Sequence, residues 1–128
     1  MSKTTLGFIL VSLFYLLLGV TLGVVFFIIP EARALRSVHA HLNLMGFVIF
    51  MIFGVAYHIL PRFRGRPLHS EGLAWAQFWL ANVGLVGLLI LMGLNVYITV
   101  STALLALFGA LLALSVYLFV YNLGRTLI

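Results

Sequence analysis

The segment VHAHLNLMGFVIFMIFGVAYHIL, running from Val38 to Leu60, decides the fold. It exceeds the ~20 residues a helix needs to cross ~30 Å of hydrocarbon. It lacks the two-residue alternation of a barrel strand, and Pro61 follows it. Three comparable runs share the chain: about Leu6 to Ile29, which stops at Pro30, about Leu73 to Leu94, and about Tyr97 to Leu123. The whole sequence is 65% apolar and 7% charged, against roughly half and about a quarter in soluble domains. Two acidic side chains cannot coat a water-facing surface, and the apolar excess excludes disorder. The reading is an all-α integral membrane protein: one four-helix transmembrane domain over residues 1–128, with spans about 6–29, 38–60, 73–94 and 97–123. The expected connections are short (Glu31–Ser37, Pro61–Gly72 and a turn at Asn95), which makes neighbours antiparallel and the bundle up-down.

Composition removes several functions. With no cysteine there is no disulfide, thiolate metal site, iron–sulfur cluster or thiol nucleophile. Seven Lys and Arg among apolar runs lack the density of a phosphate-tracking surface, so nucleic acid is not a partner. There is no aspartate, and Glu31 and Glu71 fall on opposite sides of the bilayer, which removes paired-carboxylate chemistry. The first apolar run outlasts the 7–15 residues of a signal peptide and reads as a retained helix. Lys3, Arg62, Arg64, Arg66 and Arg125 share one side, opposite Arg33 and Arg36. The positive-inside rule then makes both termini cytoplasmic. Trp75, Trp79 and Tyr97 stand near span ends, as an aromatic belt requires. Gly19/Gly23 and Ala106/Ala110 are small-xxx-small pairs, read first as packing within the protomer and second as contacts between chains.

The second span carries the chemistry. Histidines entering a bilayer are costly and mark function by default, although a lone histidine at a span end is more often an interfacial residue. Here there are two, His39 and His41. Positions i and i+2 differ by about 200° around a helix, so the two imidazoles address different sites. Metal chelation by one helix uses i and i+4, and zinc wants about four ligands that this helix does not offer. Neutral imidazole is a good axial ligand for heme iron in an apolar helical pocket. Arg36 stands one turn from His39 and Arg33 two turns, if the helix begins early, where guanidinium groups pair with propionates. No Cys-x-x-Cys-His motif exists, so the heme would be b-type. The loop Pro61–Arg66 reads as a lipid-facing anchor, His58 and His69 as interfacial residues, and Asn43, Gln77 and Asn82 as interhelical hydrogen-bonding groups.

The run VHAHLNLMGFVIFMIFGVAYHILPRFRGRPL, followed by SEGLAWAQFWLANVGL, resembles the tenth and eleventh helices of the catalytic subunit of heme–copper oxidases, the C-type cytochrome c oxidases most of all. The likeness covers about His39 to Leu85. It includes His-x-His, Gly46, Gly54, Tyr57, Pro61-Arg62 and Gln77-Phe78-Trp79. It implies that His39 corresponds to the ligand of the high-spin heme and His41 to that of the low-spin heme. It also implies hemes toward the outer face of a bacterial or archaeal inner membrane.

The departures are equally informative. The family's catalytic subunit has many more helices, and no earlier helix here offers the low-spin heme's second histidine. The copper site needs further histidines, yet only His58 and His69 remain. His58 lies ~25 Å along the helix from His41, so a lone chain is not expected to reduce oxygen, and enzymatic activity stays open. The family surrounds its redox centres with an approximate threefold arrangement of four-helix units, of which this chain resembles one third. The expectation is a homotrimer with a b heme between neighbours, His39 from one protomer and His41 from the next. A closed ring uses such heterologous contacts. A homodimer sharing one heme through paired His41 residues is the second arrangement. Electron transfer, with a redox partner or quinol, or binding of oxygen or nitric oxide would follow. A heme-free structural subunit of a respiratory complex is the alternative, and a metal or proton transporter is weaker because the spans hold few ionisable groups.

Overall fold

The computed structural model describes residues 1–128 and is all-α, with four helices long and apolar enough to cross a membrane. Helix α1 (Lys3–Ile28) starts at Ser2, whose hydroxyl accepts the Thr5 N–H, and ends before Pro30. The second span is continuous from Pro30 to Arg64 but changes winding three times. A 3-10 segment (Pro30–Leu35) leads into α2 (Arg36–His41), then a π-helical stretch (Leu42–Ile49), then α3 (Phe50–Arg64). Helices α4 (Glu71–Leu94) and α5 (Thr102–Leu127) complete the bundle.

Three expected boundaries are corrected. Glu31–Ser37 is helical instead of a loop, because Pro30 at the first position presets φ and has no N–H to leave unpaired. The second span does not stop at Pro61, which lies inside α3. It stops at Gly65, whose φ of +69° closes a Schellman motif: Arg66 N–H donates to the Pro61 carbonyl and Gly65 N–H to that of Arg62. The fourth span begins at Thr102, not near Tyr97. The Asn95 side chain accepts the Val100 N–H at 3.2 Å, and this holds the intervening residues as a loop.

Side-chain contacts fix the directions. Gly54 meets Thr5 and Phe8, Gly46 meets Tyr15 and Gly19 meets Asn43, so α1 and the second span are antiparallel. Gly84 against Leu112 and Gly87 against Phe108 do the same for α4 and α5. Phe8 on Phe78 and Tyr15 on Asn82 run parallel, as first and third spans of an up-down bundle must.

The core is aromatic and lies toward the end that carries the termini. Phe8, fully buried, makes edge contacts with Phe50, Phe53 and Phe78 at centroid separations of 5.5, 5.4 and 5.1 Å. Each such pair contributes ~0.5–1.5 kcal/mol beyond area burial. Polar pins close this end. Asn122 holds both backbone groups of Ser70, and Thr126 accepts the His69 N–H, so the α3–α4 loop is tied to α5. The Arg64 guanidinium donates to the Leu127 carbonyl. Lys3, Arg62, Arg64, Arg66 and Arg125 therefore gather at one end, and Arg33 and Arg36 stand at the other, beside the histidines.

Candidate functional site

His39 and His41 sit on the last turn of α2, where α winding gives way to π. Wide π turns are frequent at functional sites, and here one follows the pair immediately. The two imidazoles line different grooves. His39 shares a groove of about 620 Å³ with Arg33, Arg36 and the α1 residues Gly23, Val24 and Phe26. His41 lines an apolar groove of about 370 Å³ with Leu44, Met45, Val48 and, from α5, Leu112. Both volumes are on the scale of small-molecule and cofactor sites. The expected divergence of i and i+2 is thus present, and both expected arginines stand with His39 alone.

Hydrogen bonding assigns the tautomers. His39 Nδ1 lies 2.8 Å from the Gly19 carbonyl oxygen and His41 Nδ1 lies 2.9 Å from that of Ser37. A carbonyl only accepts, so Nδ1 is assigned as the donor in each ring, which in a neutral imidazole leaves the lone pair on Nε2. Neither Nε2 is sealed in the interior, since Gln77 Nε2 is the one buried side-chain nitrogen or oxygen without a partner. This is the arrangement that metal-ligating histidines show, with the second ring nitrogen donating to a carbonyl that fixes ring orientation. The Asn43 amide, 3.3 Å from His39 Nδ1, cannot donate to an already protonated nitrogen; its Nδ2 donates instead to the His39 carbonyl at 2.8 Å.

Glycines make room for this seat. A Cβ on Gly23 would stand 2.9 Å from His39 Cε1, and one on Gly19 would stand 2.6 Å from the Asn43 amide oxygen. The Gly19/Gly23 pair therefore serves packing within the protomer, the first of its two expected uses. The Ala106/Ala110 pair does not, because both alanines are exposed. The expected packing role fails there because the first half of α5 is largely uncovered.

Arg33 is steadied by donation from Nε to the Phe26 carbonyl at 3.3 Å, and its terminal nitrogens stay available to the groove. No group of three or more His, Asp or Glu side chains converges anywhere in the chain, so a closed multi-ligand metal centre is absent. His58 is half-buried within α3 and His69 is exposed in the loop. The π stretch and the Asn43 clamp were not expected from the sequence.

The fold and site define the class only as a multi-pass, four-span membrane protein with a His-x-His pair, and part of the chain is distantly similar to a heme–copper oxidase subunit. The relation rests on a match to the Cbb3-type cytochrome c oxidase subunit CcoN1 of Stutzerimonas stutzeri, 41% identical over 49 residues. That stretch is 38% of this chain and spans a tenth of the relative's length. No family model matches the chain. No solved structure matches it either.

Proposed function

We propose that the chain is a membrane b-type heme protein in which His39 and His41 would hold the heme at protomer interfaces. The observation that carries this reading is the pair of imidazoles that line different grooves with their Nδ1–H groups spent on backbone carbonyls. The residues fit the group. Imidazole nitrogen suits iron, apolar walls suit a porphyrin, and Arg33 and Arg36 flank the His39 groove where propionates need cations. When bound, heme supplies one-electron redox chemistry or a site for oxygen or nitric oxide. The chain's own residues hold the ring orientations, exclude water with Leu44, Met45 and Val48, and place the arginines.

Each groove contains one histidine, so two ligands to one iron require two protomers. Different ligands on different faces suit a closed head-to-tail ring, and the family's threefold core supports a homotrimer over a homodimer. The exposed Ala106 and Ala110 support close approach of a second chain. The clustering of cations at the terminal end supports cytoplasmic termini in a bacterial or archaeal inner membrane. Heme held by two histidines would serve electron transfer, and heme held by one would leave room for oxygen or nitric oxide. The redox partner or quinol would be met within the membrane.

Oxidised and dithionite-reduced spectra of the detergent-purified chain test this, beside His39→Ala and His41→Ala. Sharp reduced bands of a six-coordinate b heme, lost in both variants, are expected. Absence of heme from every preparation, with heme supplied during expression, would leave the heme-free structural subunit.

A further inference from the structure

Asn43 sits four residues after His39, at the point where the second span changes from α to π winding. Its Nδ2 donates to the His39 carbonyl at 2.8 Å, so it grips the backbone that carries the imidazole. Its amide is packed on Gly19, where any Cβ would collide with it. The carbonyl of that same Gly19 accepts the His39 Nδ1 proton at 2.8 Å. Gly23, one turn further along α1, has no side chain to screen the carbonyl from the ring. One short stretch of α1 therefore holds the His39 ring, and Asn43 holds the His39 backbone to the same stretch.

The consequence is chemical. In free histidine the Nε2–H tautomer predominates, which would leave Nδ1, near the backbone, as the lone-pair nitrogen. Tying Nδ1–H to Gly19 reverses that preference and leaves the lone pair on Nε2 of a ring that lines the groove of Arg33 and Arg36. That reversal depends on keeping ring and carbonyl within hydrogen-bond reach, which weakens steeply as distance and angle degrade. His41 has no such clamp, since its Nδ1 partner is Ser37, one turn back on its own helix.

We propose that Asn43, seated on Gly19, is the positioning residue that holds His39 as its Nδ1–H tautomer, with the lone pair on Nε2. The use of that nitrogen as an iron ligand rests on the heme reading above, but the tautomer is a property of the chain alone.

The test is nitrogen NMR of the full chain labelled with 15N-histidine in detergent, after extraction of any co-purified heme, because iron on Nε2 would by itself fix the Nδ1–H form. Wild type is expected to show His39 as a single Nδ1–H species. Asn43→Leu, which removes the donor, is expected to give a mixture of tautomers at His39. Asn43→Ser, whose hydroxyl can reach a carbonyl one turn back, is expected to restore the single species. His41 serves as the internal control and should be unchanged throughout. Should Asn43→Leu not fold, Asn43→Ala is read against Asn43→Ser in its place. An Nε2–H tautomer at His39 in the wild type overturns the proposal. So does an unaltered His39 in Asn43→Leu or Asn43→Ala, or an equal disturbance at His41. A chain that never carries heme but shows the expected tautomers sinks the heme reading and leaves this one standing.

Discussion

Replacing Gly23 by alanine adds a Cβ 2.9 Å from His39 Cε1, whereas carbon atoms rest ~3.5–4.0 Å apart. The ring must retreat by at least ~0.6 Å. That stretches the 2.8 Å bond from Nδ1 to the Gly19 carbonyl toward the limit of hydrogen bonding. The lost bond is worth ~1 kcal/mol and the crowding costs about 1–3 kcal/mol. The helical preference for alanine over glycine returns ~0.5–1 kcal/mol. The net cost to folding is therefore about 1–3.5 kcal/mol, while a displaced carbonyl partner behind a metal-ligating histidine typically costs ~10–100-fold in affinity. Heme titration into apo-protein in detergent, with thermal unfolding alongside, separates the two quantities. Gly109→Ala is the matched control, because nothing lies within 4 Å of the added Cβ. A Gly23→Ala chain that gains stability as the control does, with heme affinity unchanged, would refute the argument that Gly23 seats the imidazole.

Other outcomes follow from the interior. Tyr57 donates to the buried Gln77 at 2.6 Å, and Gln77 Nε2 has no partner. Tyr57→Phe alone strands the amide further and should cost ~1–3 kcal/mol, whereas Tyr57→Phe with Gln77→Leu should be close to neutral in a double-mutant unfolding cycle. Asn122→Leu removes both bonds to Ser70 and should destabilise by ~1–3 kcal/mol while speeding proteolysis of residues 65–70. Arg33→Ala with Arg36→Ala should weaken heme binding more than the same change at Arg62 and Arg64, read by titration. Trp75 and Trp79, the two tryptophans, are both exposed on α4. Brominated lipids are expected to quench most of the chain's tryptophan emission.

The number of spans was legible because each apolar run is long enough to cross a bilayer and each is punctuated by Pro, Gly or polar residues. Winding was not. Pro61 looked like a stop, yet only a carbonyl one turn back loses its partner, and the true stop is the left-handed Gly65, four residues on. Within the π stretch Gly46 admits Tyr15 of another helix, and no local pattern encodes a tertiary contact. At the site, the divergence of His39 and His41 followed from helical geometry alone. The placement of Arg33 and Arg36 followed once the helix began at Pro30. The Gly19 carbonyl did not, because it meets His39 across twenty positions through helix packing. Asn43 was legible only as a polar group within a span.

The central claim is that each heme takes His39 from one protomer and His41 from its neighbour. It is tested most directly by co-expressing His39→Ala and His41→Ala chains under different affinity tags and isolating the mixed assemblies. In a head-to-tail trimer one interface in each mixed ring brings an intact His39 to an intact His41, so about one third of wild-type heme should return. Neither variant alone should hold six-coordinate heme. Mixed assemblies as empty as the single variants would contradict the account.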